Sequence, residues 1–328
     1  MRPLLLTLLT ASSLLAQTTT KAPPAPLSME RDQSGLITFK LPSKESTILY
    51  TLDGTEPTAK SAPYLAPFAL PGGGTVKATL FTKDRTAHAK VVQSVFEPLS
   101  GQKAQPSTVV PIPQDRSWPQ YDWAKRHALT SAAVKKIQPQ ILFIGDSITH
   151  FFGGEQFDSY ALRGQQTWGE FYAPRKAGNL GFGWDKTENV LWRLQHGALD
   201  GISPKLVVLM IGTNNSANCS APEIAAGITA IVQELHQRLP QSKTLLLGIF
   251  PRGEKPGPQR EKLSAVNQLI AKLDGQQNAT FLDIGSKFLT AEGLITKDIM
   301  PDYLHPNEKG YRIWAEAIEP TVKKLLGE

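Results

Sequence analysis

The pattern of apolar and polar positions changes character along the chain. Between residues 28 and 97 the apolar runs are short, and several alternate with polar residues: Leu36-Ile37-Thr38-Phe39, Ile48-Leu49-Tyr50-Thr51, Val76-Lys77-Ala78-Thr79-Leu80-Phe81 and Val91-Val92-Gln93-Ser94-Val95-Phe96. A period of two marks strands with one buried face. Asp53-Gly54 and Gly72-Gly73-Gly74 supply the turns between them. The stretch predicts a small all-β, immunoglobulin-like antiparallel sandwich. From Gln140 the runs become unbroken: Ile141-Leu142-Phe143-Ile144, Leu206-Val207-Val208-Leu209-Met210-Ile211, Thr244-Leu245-Leu246-Leu247-Gly248-Ile249-Phe250 and Thr280-Phe281-Leu282-Asp283-Ile284, with a weaker one at 177–180. Such runs suit strands covered on both faces of a parallel sheet. Helical stripes lie between and after them. Ile224, Ile228, Ile231, Leu235 and Leu239 form one, opened by a capping box at Ser220 and Glu223 and closed by Pro240. Tyr311, Trp314, Ile318, Val322 and Leu325 form the last, sharing one face of a helix over 308–326.

Alternating strands and helices over 139–328 predict an α/β domain, a three-layer doubly wound parallel sheet of flavodoxin-like type. Its site is expected outside the carboxyl ends of the strands. Before residue 28 the pattern differs again. Arg2, the apolar residues of 4–9 and Leu14-Leu15-Ala16 read as a secretory signal peptide over 1–16, which implies a secreted or periplasmic protein. No Cys follows the run, so a lipid anchor is not indicated, and no stable membrane span is expected after cleavage. Residues 17–27, rich in Thr, Ala and Pro, read as a flexible tether. Residues 98–138, with Pro111, Pro113 and Pro119, read as a linker leading into a helix near 121–136.

Composition adds limits. A chain of 328 residues with 41% apolar and 20% charged residues is globular and suits two domains. The formal charge of +6 falls to +5 once Arg2 is removed, and it is spread without a dense basic stripe, so a nucleic-acid partner has no support. Cys219, the only cysteine, cannot form an intramolecular disulfide and reads as a small half-buried filler rather than a reactive thiol. No Cys/His spacing suggests a metal, and no cofactor is called for.

The candidate chemistry sits where the strands end. Gly145-Asp146-Ser147-Ile148-Thr149 follows the first parallel strand, so Ser147 is expected at a strand's carboxyl end, entering a helix. A serine needs a base, and the base needs an orienting group. Asp302-Tyr303-Leu304-His305 lies just before the final helix, with a spacing of three that lets a turn bring the carboxylate to the imidazole. Gly212-Thr213-Asn214-Asn215 follows the third strand and can aim the Asn214 amide into the same crevice. Asn179-Leu180-Gly181-Phe182-Gly183-Trp184-Asp185 follows the weaker strand, where glycines let backbone N–H groups approach a ligand. His88, His196 and His236 read as surface or core histidines; His127 and His150 could line the site but lack a comparable Asp partner in sequence.

Together these blocks resemble the SGNH, or GDSL-like, hydrolase family from about residue 140 to the end: Gly145-Asp146-Ser147 matches the nucleophile block, Gly212-Thr213-Asn214 the Asn block and Asp302-x-x-His305 the final block. Within that family, Leu191-Trp192-Arg193-Leu194 and Pro251-Arg252-Gly253-Glu254-Lys255-Pro256 are similar to the catalytic subunits of the intracellular platelet-activating-factor acetylhydrolases. The resemblance implies a serine ester hydrolase in which Ser147 attacks, His305 is the base, Asp302 orients it, and Ser147 N–H, Trp184 N–H and the Asn214 side chain hold the oxyanion. The family's glycine block continues Gly-Gly-Asp, but here Trp184 stands in place of the second glycine, between Gly183 and Asp185. Its indole either narrows the acyl pocket or forms a lid.

The motif Tyr50-Thr51-Leu52-Asp53-Gly54-Thr55-Glu56-Pro57-Thr58 resembles chitobiase/hexosaminidase C-terminal-type modules, which accompany carbohydrate-active enzymes. Either a spacer or a sugar-binding surface fits it. Export and this module favour short-chain, acetyl-type esters on carbohydrates, as small molecules or polysaccharides; the acetylhydrolase resemblance favours lipid-like acetyl esters and implies a homodimer as an alternative assembly. The other readings are acyl transfer to a sugar and an inert carbohydrate-binding protein.

Overall fold

The structure, a computed structural model, describes residues 27–40, 46–82, 84–87, 89–118 and 120–328. The signal-peptide reading, the tether apart from Leu27, His88 and Pro119 lie outside the described residues.

The first part is β1 (Ser28–Arg31), β2 (Leu36–Lys40), β3 (Thr47–Thr51), β4 (Ala62–Pro63), β5 (Phe68–Ala69), β6 (Gly74–Phe81) and β7 (Val92–Phe96). Two antiparallel sheets result, ordered β1-β2-β5 and β4-β3-β6-β7. The alternating residues Ile37, Phe39, Ile48, Tyr50, Val76, Ala78 and Leu80 meet in one core, as their period-two pattern requires. Tyr50 stacks on Phe68 with ring centroids 4.8 Å apart, joining the two sheets.

The segment read as a linker and lead-in packs against the next domain over 107–118 and 120–122. Thr108 and Tyr121 are buried. Thr108 Oγ1 donates to the Glu223 carbonyl at 2.6 Å, and Asn189 Nδ2 donates to the Ile112 carbonyl at 2.9 Å. Prolines bar this stretch from a helix or a central strand, so it shows no periodicity. An extended strap can still be pinned by side chains. It ends in the short hairpin β8 (Ser117–Trp118) and β9 (Tyr121–Asp122), after which Asp122 caps α1 (Trp123–Ile137) by accepting from the Lys125 N–H.

The α/β domain follows: β10 (Ile141–Gly145), α2 (Ser147–His150), α3 (Gln165–Phe171), β11 (Ala177–Gly181), α4 (Thr187–Arg193), β12 (Leu206–Met210), α5 (Ala221–Arg238), β13 (Lys243–Leu247), α6 (Pro258–Ile270), β14 (Ala279–Leu282) and α7 (Glu308–Leu326). The sheet is parallel, ordered β11-β10-β12-β13-β14. Neighbouring residues of one strand serve opposite layers. Ile141, Phe143, Leu206 and Val208 face α3 and α7 through Trp168, Tyr172, Tyr311 and Trp314. Leu142, Ile144, Val207 and Leu209 face α4, α5 and α6 through Val190, Ile228, Ile231 and Leu263. Hence the unbroken apolar runs. The order reverses direction at β10, so a crevice opens beyond the ends of β10, β11 and β12.

Candidate active site

Ser147 is the first residue of α2, two residues beyond the end of β10. The Asp146 carboxylate caps this turn by accepting from the Ile148 N–H at 2.9 Å. Tyr311 of α7 donates its hydroxyl to the Ile148 carbonyl at 2.7 Å and pins the turn from within the same core layer. Two glycines let the turn sit close to the sheet. A Cβ on Gly145 would fall 2.4 Å from the Met210 carbonyl oxygen, and one on Gly181 would fall 2.2 Å from the His150 backbone nitrogen. Burial pushes the Asp146 carboxyl up to about 7, against the Ile148 N–H and Arg252, which favour the anion.

Ser147 Oγ lies 2.8 Å from His305 Nε2, although the two residues are 158 positions apart. On the other side of the ring, His305 Nδ1 lies 2.7 Å from Asp302 Oδ2. The second carboxylate oxygen, Oδ1, accepts from the backbone N–H groups of His305 at 2.8 Å and Leu304 at 3.2 Å. One aspartate therefore shapes the turn and orients the ring it carries. Burial lowers the His305 pKa below 6.5, with Arg163 and Arg252 adding to the effect and Asp302 opposing it. Burial of Asp302 acts upward, but its bonds from His305 and Leu304 outweigh it and hold the carboxyl below its ordinary value.

Asn214, in the short helical turn Thr213–Ala217 that follows β12, is half-buried and donates its side-chain amide to the Asp185 carbonyl at 2.9 Å. That bond uses one of two amide protons and orients the other. Trp184 has φ +61°, in the left-handed region where a bulky residue is rare, so the position that a glycine would fill naturally is held by its surroundings. The indole is engaged by Tyr121 and Tyr160, each with centroids 5.6 Å away, and by the Arg116 guanidinium 4.7 Å from the ring. Phe151 continues this aromatic wall, 5.8 Å from Tyr160 and 5.2 Å from the His305 ring. Next to Trp184, Asp185 is buried and takes Arg193 Nε at 2.8 Å, Arg193 Nη2 at 2.7 Å and the Trp123 indole N–H at 2.8 Å.

Two of the sequence readings need correction. His150 does have a carboxylate partner, Asp158, with Nε2 and Oδ2 3.3 Å apart; seven residues of irregular chain between them hid it. Burial lowers its pKa to about 4, so it is a neutral core residue. His127 packs on Trp123 and Trp192 and its Nε2 meets the His196 carbonyl at 2.7 Å, which makes it part of an aromatic cluster. Cys219 is half-buried against the α5 core, and burial raises its thiol pKa, as suits a filler. Gln114, Arg116 and Tyr121, which the sequence reading passed over, reach the Trp184 loop from the strap.

Residues 143–313 match the model of the GDSL-like lipase/acylhydrolase family, and residues 37–96 match the Fn3 associated model. The chain is 38% identical over 207 residues to the platelet-activating factor acetylhydrolase IB subunit alpha2 of Rattus norvegicus, covering 63% of this chain and 86% of that one. It is also 38% identical over 207 residues to the alpha1 subunit of Homo sapiens, covering 63% and 85%. Among solved structures, an acylhydrolase-named protein of Bacteroides fragilis superposes with a TM-score of 0.51 at 20% identity, over 63% of this chain and 99% of that one, and shows the shared fold. The chain belongs to the GDSL-like lipase/acylhydrolase (SGNH) family and is an ester hydrolase of that type.

Proposed function

We propose that this chain is an exported serine esterase that removes short, acetyl-type acyl groups from carbohydrate hydroxyls. The observation that carries the reading is the relay from Ser147 Oγ through the His305 ring to Asp302, with contacts of 2.8 and 2.7 Å. Ser147 Oγ attacks the ester carbonyl carbon while His305 Nε2 takes the hydroxyl proton, and Asp302 supports the imidazolium. The carbonyl oxygen becomes an oxyanion, received by the N–H groups of Ser147 and Trp184 and by the Asn214 amide. Collapse expels the alcohol, protonated by His305, and leaves Ser147 acylated. A water molecule, deprotonated by His305, then releases the acid and restores the serine.

The acetyl preference draws support from the acetylhydrolase names of the curated relatives and from the aromatic wall of Phe151, Tyr160 and Trp184 beside His305. The carbohydrate assignment draws on a cavity that shares Trp184 with the site, while Ser147 and His305 lie outside its lining. The cavity, of about 360 Å³, opens beside Trp184 between the sandwich and the α/β domain, and its rim carries Lys60, Asp115, Lys186 and Glu188. Such a mixed, polar lining suits a hydroxylated leaving group better than an aliphatic chain. Lipid-like acetyl esters remain the second reading, favoured by the relatives' names.

The test is kinetic. Ser147→Ala is expected to abolish hydrolysis of p-nitrophenyl acetate and labelling by a fluorophosphonate while keeping the unfolding temperature. Retained turnover by the folded variant would remove Ser147 from the reaction. Comparing kcat/KM on acetylated oligosaccharides with that on acetyl glycerolipids decides the substrate class, and a preference for the lipid overturns the carbohydrate assignment. Product analysis with added sugar separates hydrolysis from transfer.

A further inference from the structure

The peptide unit between Gly183 and Trp184 has two ends. Its N–H is the group assigned above to the oxyanion. Its carbonyl is the Gly183 oxygen, which accepts from Gln114 Nε2 at 3.0 Å and from the Tyr121 hydroxyl at 3.3 Å. Both donors come from the strap, N-terminal to the residues 143–313 matched by the family model. The same strap presses Arg116 onto the Trp184 ring, and Tyr121 packs against that ring's edge. On the far side of Trp184, the Asp185 carbonyl is held by Asn214 at 2.9 Å, and the Asp185 carboxylate by Trp123, Gln114 and Arg193. Trp184 is thus clamped on both sides at φ +61°, a conformation that a tryptophan keeps only where its neighbours dictate it.

We propose that Gln114 and Tyr121 are positioning residues for catalysis: their bonds to the Gly183 carbonyl set the orientation of the Gly183–Trp184 peptide and strengthen its N–H as an oxyanion donor. Two physical effects act together. A peptide is planar, so fixing the carbonyl direction fixes the N–H direction opposite to it. Donation to the carbonyl also draws electron density through the amide, which makes the N–H more positive, the cooperative effect seen in hydrogen-bond chains. In a chain with tryptophan where its family has glycine, the strap supplies the rigidity. The inference rests on the reading of Trp184 N–H as an oxyanion donor.

The experiment uses the full chain with Tyr121→Phe, Gln114→Met and the double variant, each deleting a donor with little change in volume. Active sites are counted by fluorophosphonate titration, so that kcat is expressed per competent site. Each single variant is expected to lower kcat by about 3- to 10-fold, with KM on p-nitrophenyl acetate unchanged and the double variant lower still. The rate constant for fluorophosphonate capture should fall in parallel, because phosphonylation of Ser147 also develops charge on an oxygen in the hole. The pH midpoint of kcat/KM should not move, since His305 is untouched. Wild-type kcat per site in the double variant overturns the proposal. So does a loss confined to the number of titratable sites, which would mean a structural role, or a rise in KM at constant kcat. Turnover that survives Ser147→Ala would instead remove the site reading beneath it.

Discussion

In the proposed relay His305 is the general base, and the direction of its pH dependence follows from its surroundings. A general base must be neutral to accept a proton. Burial first, then Arg163 and Arg252, disfavour the imidazolium and place its pKa below the ordinary 6.5. Activity should therefore fall as pH drops through a midpoint below 6.5, and stay level through neutrality. A kcat/KM profile on p-nitrophenyl acetate measures this; a midpoint above 7 contradicts it. Much of this site was legible in the residues themselves. Asp302 and His305 are three apart, so their contact is local and the spacing carries it. The partner of His150 was not legible, because Asp158 reaches it across irregular chain. Nor were the anchors of the Trp184 loop. Gln114, Tyr121 and Asn214 all bind backbone carbonyls, and every residue has one of those, so the acceptor leaves no mark in the sequence.

The elements were readable wherever periodicity was long enough to count. The capping box at Ser220 and Glu223 forms, with the Ser220 backbone N–H donating to Glu223 at 2.7 Å and the Ser220 hydroxyl accepting from the Glu223 N–H at 3.4 Å. The apolar stripe of α7 is buried at Tyr311, Trp314, Ile318 and Val322. The two-residue strands β4 and β5 escaped notice because two positions hold no period. How closely two elements approach also escaped it. Turn α2 lies so near β11 that a methyl group at Gly181 meets the His150 backbone nitrogen at 2.2 Å, a contact with main chain that no rotamer change relieves. Gly181→Ala is therefore expected to cost about 1–3 kcal/mol of unfolding free energy and to lower kcat by displacing the Ser147 turn. Urea unfolding together with p-nitrophenyl acetate turnover checks both; wild-type values for either would mean that the two elements separate without strain.

Across the whole molecule, the seam between sandwich and α/β domain is a built contact. Arg85 of the sandwich forms an ion pair with Asp115 of the strap, whose carboxylate is only 6% exposed. Burial raises the Asp115 pKa even against Arg85 and Arg116, so a lone carboxylate there would be costly. Arg85→Ala should lower stability by about 1–3 kcal/mol, and adding Asp115→Asn should recover most of the loss. Denaturant unfolding of the four proteins in the cycle measures this, and strictly additive losses would show that the pair does not interact. Among the described residues no helix is long and apolar enough to cross a membrane. The amino-acid sequence by itself determined the longer strands and helices, the faces they bury and the one-turn spacing of Asp302 and His305, because periodicity and short spacings are local properties of a chain. Only the tertiary structure decided that Ser147 meets His305 and that a proline-rich strap supports the Trp184 loop. Those contacts join positions far apart in sequence, and their geometry depends on how every intervening layer packs.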